Sequence, residues 1–267
     1  HEEDPTFVYR VDSELKQTII SGLGELQLEI VVDRLKQKFN VEVDLIEPKV
    51  PYRETIRGKG ESKYRHKKQS GGAGQFAEVW MAVEPKARGE GVEFSNSLVG
   101  QSVDRVFVPS VEKGVNAACV EGILAGCMVV DVKANFYDGK QHPVDSKDVA
   151  FQIAGKGAFK EAFIGAEPCL LEPIMEIEVK VPEDQMGDVM GDISGRRGKV
   201  LGVDTEGGFQ VIKAEVPQAS LYRYSTTLRS LTSGRGTHRE KFSHYENMPG
   251  DVQKKVIAAN TETEEEE

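Results

Sequence analysis

The chain has 267 residues, 39% of them apolar, and a net charge of −10 from 34 Lys and Arg against 44 Asp and Glu. That length accommodates two or three domains with buried cores. The acidic balance excludes a protein that grips nucleic acid over its whole surface, because such binding comes from cations on phosphates, but it is compatible with a local basic patch. Cys119, Cys127 and Cys169 fit no zinc or redox spacing and are too few for a disulfide framework. The longest apolar run, Ile123 to Val130, is too short to cross a bilayer, and the first residues carry no signal-peptide pattern.

In chain order, Phe7 to Val11 and Thr18 to Ser21 form a hairpin pattern. Leu28, Val31, Val32, Leu35 and Phe39 make a helix stripe, and Val41 to Ile46 alternates as a strand. That is ββαβ, a ferredoxin-like unit truncated at its start. Glu47 to Pro51, with two prolines, forms a loop, and residues 57–70 hold six Lys or Arg against one Glu. Phe76 to Val83 and Val92 to Leu98 are strand-like, and Val108, Val111, Val115 and Ala118 share a helix face. Met128 to Tyr137 is a strand leading into a turn at Asp138-Gly139. A helix capped by Asp145 or Ser146 then runs through Val149, Ile153 and Phe163. It contains Gly155 and Gly157, each costing about 1 kcal/mol relative to Ala.

Beyond a second two-proline boundary at Gly165 to Pro173, Met175 to Val181 alternates as a half-buried strand. Met186 to Ile193 repeats at helical spacing, and Lys199 to Val203 and Phe209 to Val216 form a hairpin across Glu206-Gly207-Gly208. Leu221, Tyr224, Leu228 and Leu231 make a second helix, followed by an edge strand from Thr237 to Tyr245. The order is βαββαβ, the split ferredoxin-like arrangement. The final TETEEEE should be disordered.

The glycine loop Gln69 to Gln75 invites a phosphate-cradle reading, but a strand follows it where a helix N-terminus is needed. A flexible loop that brings backbone close to RNA, flanked by Lys67 and Lys68, and an ordinary hairpin tip both stay open. The five histidines include no metal-ligand pair on a helix face and none adjoins a nucleophile in sequence. Arg196 and Arg197 close a helix, where they complement its dipole or contact phosphate. Arg235, between Gly234 and Gly236, is a weaker candidate for RNA.

Several long motifs carry a family resemblance: Thr18 to Lys36 (TIISGLGELQLEIVVDRLK), Lys68 to Phe76 (KQSGGAGQF), Tyr137 to Ser146 (YDGKQHPVDS), Gly187 to Gly198 (GDVMGDISGRRG) and Leu228 to Thr237 (LRSLTSGRGT). Together they resemble the C-terminal half of bacterial elongation factor G, the ribosomal translocase. The resemblance implies an α+β chain divided as 1–56, part of domain three; 57–167, domain four with a left-handed βαβ crossover; 168–258, ferredoxin-like domain five; and 259–267, an acidic tail. It implies no catalytic residues or metal site here, with GTP and Mg bound by a G domain of the parent GTPase. The partner it implies is the ribosome, met by a cytoplasmic monomer with no membrane association. The domain-four tip, formed by Gln69, Ser70, Gly71, Gly72, Gln75, Lys140, Gln141, His142 and Asp145, would contact the tRNA–mRNA in the decoding region. Lys67, Lys68, Arg196, Arg197 and Arg235 would contact rRNA.

The chain departs from the family at Gln27, commonly His, and at Ala73 and Leu231, both commonly Arg. A recycling or ribosomal-protection paralogue of the same architecture is the alternative reading. A stand-alone enzyme is disfavoured by the missing nucleophile constellation and phosphate loop.

Overall fold

The computed structural model describes residues 4–68, 74–100 and 102–266, with side chains to residue 260. The chain divides into two compact units, His1–Pro51 with Pro173–His244, and Tyr52–Glu172 with Tyr245–Glu267.

In the first unit, β1 (Val8–Asp12) and β2 (Gln17–Ser21) form an antiparallel hairpin, followed by α1 (Glu25–Phe39). Gln27 donates to Asp4 and Thr6 and accepts from the Leu23 amide, tying the opening segment to the start of α1. Residues 41–50 carry no strand, contrary to the alternation of Val41, Val43 and Leu45. Among the described residues no neighbouring strand pairs with them, and these side chains stay exposed. Alternation marks a face that could be buried, and pairing still needs a partner edge.

The same unit holds the ferredoxin-like fold. Strand β8 (Pro168–Pro182) pairs through residues 174–182 with β10 (Phe209–Pro217), which pairs with β9 (Lys199–Glu206); β11 (Thr237–Asn247) flanks β8 on the other side. Gly207 and Gly208, both at positive φ, close a two-residue hairpin. Helices α4 (Met186–Gly195) and α5 (Tyr224–Leu231) supply Val189, Ile193, Tyr224 and Leu228 to a core with Ile177, Val179 and Ile212. The βαββαβ order is therefore as the periodicity predicts.

In the second unit, a four-stranded sheet has the order β4 (Gly60–Lys68), β5 (Gln75–Pro85), β7 (Val132–Lys140) and β6 (Glu93–Asn96), with β6 and β7 parallel and the rest antiparallel. The connection between the parallel strands contains α2 (Val108–Glu121), and α3 (Asp148–Ile164) follows β7. Strand β4 occupies the basic stretch, where charge on every exposed position conceals a period of two. Strand β7 runs through Asp138-Gly139 instead of turning there. A bulge opposite Trp80 and Met81 absorbs the extra residue, and Gly139 lies so close to the Glu78 carbonyl oxygen that no side chain fits.

Helix α3 explains its own glycines. A methyl group at Gly155 would come within 2.8 Å of the Val111 carbonyl oxygen on α2, and one at Gly157 within 2.6 Å of the Tyr64 ring on β4. Gly114 on α2 meets the Gln152 carbonyl and Gly60 on β4 meets that of Ala162. The Ser62 hydroxyl donates to the Ala158 carbonyl at 2.6 Å. Ala150, Ala154, Ala158 and Ala162 are all fully buried along the same helix, so backbone meets backbone along this seam.

Strand β3 (Arg53–Ile56) is not part of the four-stranded sheet and pairs with residues 168–171 of β8. From β3 the buried Glu54 accepts the amides of Ile123 and Leu124 on one oxygen (2.7 and 2.9 Å) and of Ala125 and Cys127 on the other (2.9 and 3.0 Å). The loop so held seats α6 (Gly250–Glu266), whose Val252, Val256 and Ile257 pack around Leu170 and Ala125. Asn260 donates to the Ala125 carbonyl. The helix continues across the segment read as a disordered tail. Its packed first turns supply a nucleus, and glutamate is a good helix former.

Gly114→Ala and Gly155→Ala should each destabilise the second unit by about 1–3 kcal/mol through overpacking. Gly191→Ala, on an open stretch of α4, should stabilise the first unit by about 0.5–1 kcal/mol. Amide exchange resolved by unit checks both signs.

Candidate nucleic-acid interface

Strand register brings two segments together at one end of the four-stranded sheet. Lys68 pairs with Gln75 across β4 and β5, and Lys140 pairs with Glu78 across β5 and β7. The Phe76 amide donates to the Asp145 carbonyl at 3.0 Å, and the Ser146 hydroxyl donates to the Phe76 carbonyl at 2.8 Å. A methyl group at Gly74 would fall within 2.9 Å of the Asp145 carboxyl carbon. Gln75, Lys140, Gln141, His142 and Asp145 therefore share one end of the unit. Gln69, Ser70, Gly71, Gly72 and Ala73 lie outside the described residues.

The loop after β7 is closed on itself. The His142 amide donates to Ser146 Oγ at 2.8 Å, and His142 Nδ1 faces the amides of Val144 and Asp145 at 3.3 and 3.2 Å. An Nδ1 that accepts from backbone leaves the ring proton on Nε2. The side chain is half exposed and also lies 3.4 Å from Asp145. His142 thus presents one donor from a fixed ring, whose centroid is 6.2 Å from that of Phe76.

Gln141 is used differently: its Oε1 accepts the Asp104 amide at 2.7 Å and ties the loop to the approach to α2. Gln75 Oε1 lies 3.0 Å from His66 Nε2, which leaves the amide nitrogen to donate. Ser146 does not cap α3. The helix begins at Asp148 after Lys147, with no side-chain cap bond, and the Ser146 hydroxyl joins the two tip segments instead.

Sequence reasoning missed the centre of charge beside this tip. Glu61, Lys63, Arg65 and Lys67 lie on the outer face of β4, and Phe76, Glu78 and Trp80 on that of β5. Glu78 is almost fully buried and takes Arg65 Nε at 2.7 Å, Trp80 Nε1 at 2.9 Å and Lys140 Nζ at 3.6 Å. Lys63 Nζ sits 3.9 Å from the centroid of the Trp80 ring. Burial pulls the Glu78 carboxyl upward, but the Trp80 hydrogen bond and the charges of Arg65 and Lys140 outweigh it and hold it below 4.5. The stability this contributes is present above the unfolded value and is lost as pH falls through the lower folded one. The signal lay in the alternation of Glu61-Ser-Lys-Tyr-Arg-His-Lys67.

Among the described residues Lys67 and Lys68 are exposed and make no ion pair. Arg196 lies in the other unit and is not an open contact. Its guanidinium bonds Asp192 at 2.8 Å, the Ser220 carbonyl at 2.6 Å and Thr227 at 3.1 Å, and it stacks over Tyr224. It clamps α4 to the start of α5. Arg197 follows at φ 63° and is exposed, and Arg235 is exposed 3.3 Å from Asp184.

The chain carries both a ferredoxin-like βαββαβ fold and a sheet with a parallel β6–α2–β7 crossover. Family models for elongation factor G domain III, domain IV and C-terminus match residues 1–47, 48–167 and 169–256. The chain belongs to the elongation factor G family. Elongation factor G of Aquifex pyrophilus is 49% identical over 255 residues, covering 96% of this chain and 36% of that relative, so the chain spans about a third of its length. A crystal structure of a Thermus thermophilus protein matches with a TM-score of 0.83 at 39% identity, covering 98% of this chain and 39% of that one.

Ser146→Ala removes the hydroxyl that bridges His142 and Phe76. It should cost about 1–2 kcal/mol locally and speed amide exchange at His142 and Asp145, leaving residues 174–217 unchanged.

Proposed function

We propose that this chain is the ribosome-engaging C-terminal part of a translational GTPase that promotes tRNA–mRNA translocation, with the end of the four-stranded sheet entering the decoding region. The observation that carries the reading is the tip itself. Two segments from different strand ends are tied together by Phe76, Asp145 and Ser146, with the half-exposed ring of His142 braced by backbone at Nδ1, which leaves Nε2 as its donor. An element that enters structured RNA needs a narrow end and donors for 2′-hydroxyls and phosphates. Mostly neutral donors position such an arm without gripping it, which suits a part that must withdraw after each cycle. The partners in this reading are rRNA and the tRNA–mRNA pair, met by a cytoplasmic monomer. No helix among the described residues is long and apolar enough to cross a membrane.

Nucleotide chemistry belongs, in this reading, to a G domain that binds GTP and Mg outside the present chain. In sequence the glycine-rich segment precedes β5, a strand, where a phosphate loop needs a helix N-terminus. The residues present do not fit a triphosphate, and calorimetry should find no GTP binding to the chain; micromolar affinity would contradict this.

In the full-length factor, His142→Ala should slow tRNA–mRNA movement about ten-fold, the effect of about 1–2 kcal/mol for one lost hydrogen bond. Ribosome-stimulated GTP hydrolysis should stay near the parent rate. Fast-kinetic translocation at the parent speed would overturn the tip assignment.

A further inference from the structure

The outer face of β4 and β5 carries an ordered set of cations that the tip does not use. Alternate residues on a strand repeat about every 6.6 Å, close to the separation of successive phosphates on an extended nucleic-acid strand. Lys63, Arg65 and Lys67 occupy three such positions in register with Trp80, Glu78 and Phe76. Two of the three are held in advance. Arg65 is bonded to Glu78, and Lys63 rests on the Trp80 ring, which is itself bonded to Glu78. Lys140 approaches the same carboxylate from β7. One buried anion and one ring thus fix three cations, reducing the side-chain freedom lost when a polyanion binds.

The pattern also has an end. Past Glu61, a groove of about 450 Å³ at the same sheet carries Lys59 paired with Glu84, and Lys133 paired with Glu93. Balanced charge there gives a polyanion nothing to follow, whereas the tip side of Glu61 is net positive. Helices α2 and α3 contribute to the core on the opposite face of the sheet, and Lys63, Arg65 and Lys67 are exposed among the described residues.

We propose that Lys63, Arg65 and Lys67 form a phosphate ladder, with Trp80 and Glu78 as positioning residues, that binds the backbone of a single RNA strand running away from the tip. This deepens the ribosome-binding reading by naming a second RNA-facing surface. The His142 kinetics bear on the tip and the following titration bears on the ladder, so either can fail alone.

Trp80 is the chain's sole tryptophan, so its fluorescence reports occupancy of this face. The chain is titrated with a labelled oligouridylate, following RNA anisotropy and Trp80 emission together over a salt series. The two signals should saturate in parallel. The Lys63→Gln/Arg65→Gln double variant, checked for native circular dichroism, should bind at least ten-fold more weakly at low salt. Its slope of log affinity against log salt should fall by about 1.4, two contacts at about 0.7 each for a single strand. Lys133→Gln, on the balanced groove, should match the parent. Absence of RNA binding, binding without a Trp80 response, an unchanged salt slope in the double variant, or equally tight binding of polyglutamate would each overturn the proposal.

Discussion

The close approach of α3 to its neighbours is the constraint on which the second unit depends. Helices ordinarily pack 8–10 Å apart with side chains interleaved. Here Gly114, Gly155 and Gly60 leave no room for a β-carbon against facing carbonyls, and a row of buried alanines continues the seam. Dispersion and exclusion of water over this flat contact outweigh the roughly 1 kcal/mol that a helical glycine costs. The same closeness sets where α3 starts, and therefore where the loop before it can lie. His142, Asp145 and Ser146 are delivered beside Phe76 because the helix that follows them has a single seat.

From that seat two polar devices build outward. At the tip, Ser146 and the His142 ring satisfy backbone groups that a short loop would otherwise expose, converting a connection into a surface of defined shape. Elsewhere in the unit, Glu54 satisfies four amides of one loop, leaving its backbone able to support α6. Neither device is a reactive constellation. Each is a buried or half-buried acceptor matched to backbone donors, so the polar groups of both loops are satisfied within the fold. Glu78 follows the same logic on the sheet's outer face, with side-chain cations in place of amides.

Much of this was legible from residue patterns, for identifiable reasons. The βαββαβ order emerged because Ile177, Val179, Val181 and then Val189 and Ile193 switch cleanly from a period of two to one near 3.6. Strand β4 is hidden in the sequence because its exposed positions are all charged, so the pattern registers as charge. Val41 to Ile46 has strand alternation but, among the described residues, no partner edge, which only three dimensions reveal. Gly155 and Gly157 looked like flaws in a helix until their neighbours were known. Helical spacing offers Arg196 as a partner of the helix dipole or of phosphate and Ser146 as a cap, whereas each bonds residues distant in sequence, a relation that spacing cannot encode. His142, Gln75 and Lys140 were found through motif resemblance; their convergence is a property of strand register.

The central claim is that the sheet end bearing His142 meets RNA. It is tested most directly by a structure of the full-length factor on a ribosome with tRNA and mRNA, resolving side chains at residues 140–146. The account predicts His142 Nε2 within hydrogen-bond distance of a phosphate, ribose or base of the tRNA–mRNA pair. A His142 ring directed to solvent or to ribosomal protein, with the sheet end clear of RNA, would contradict it.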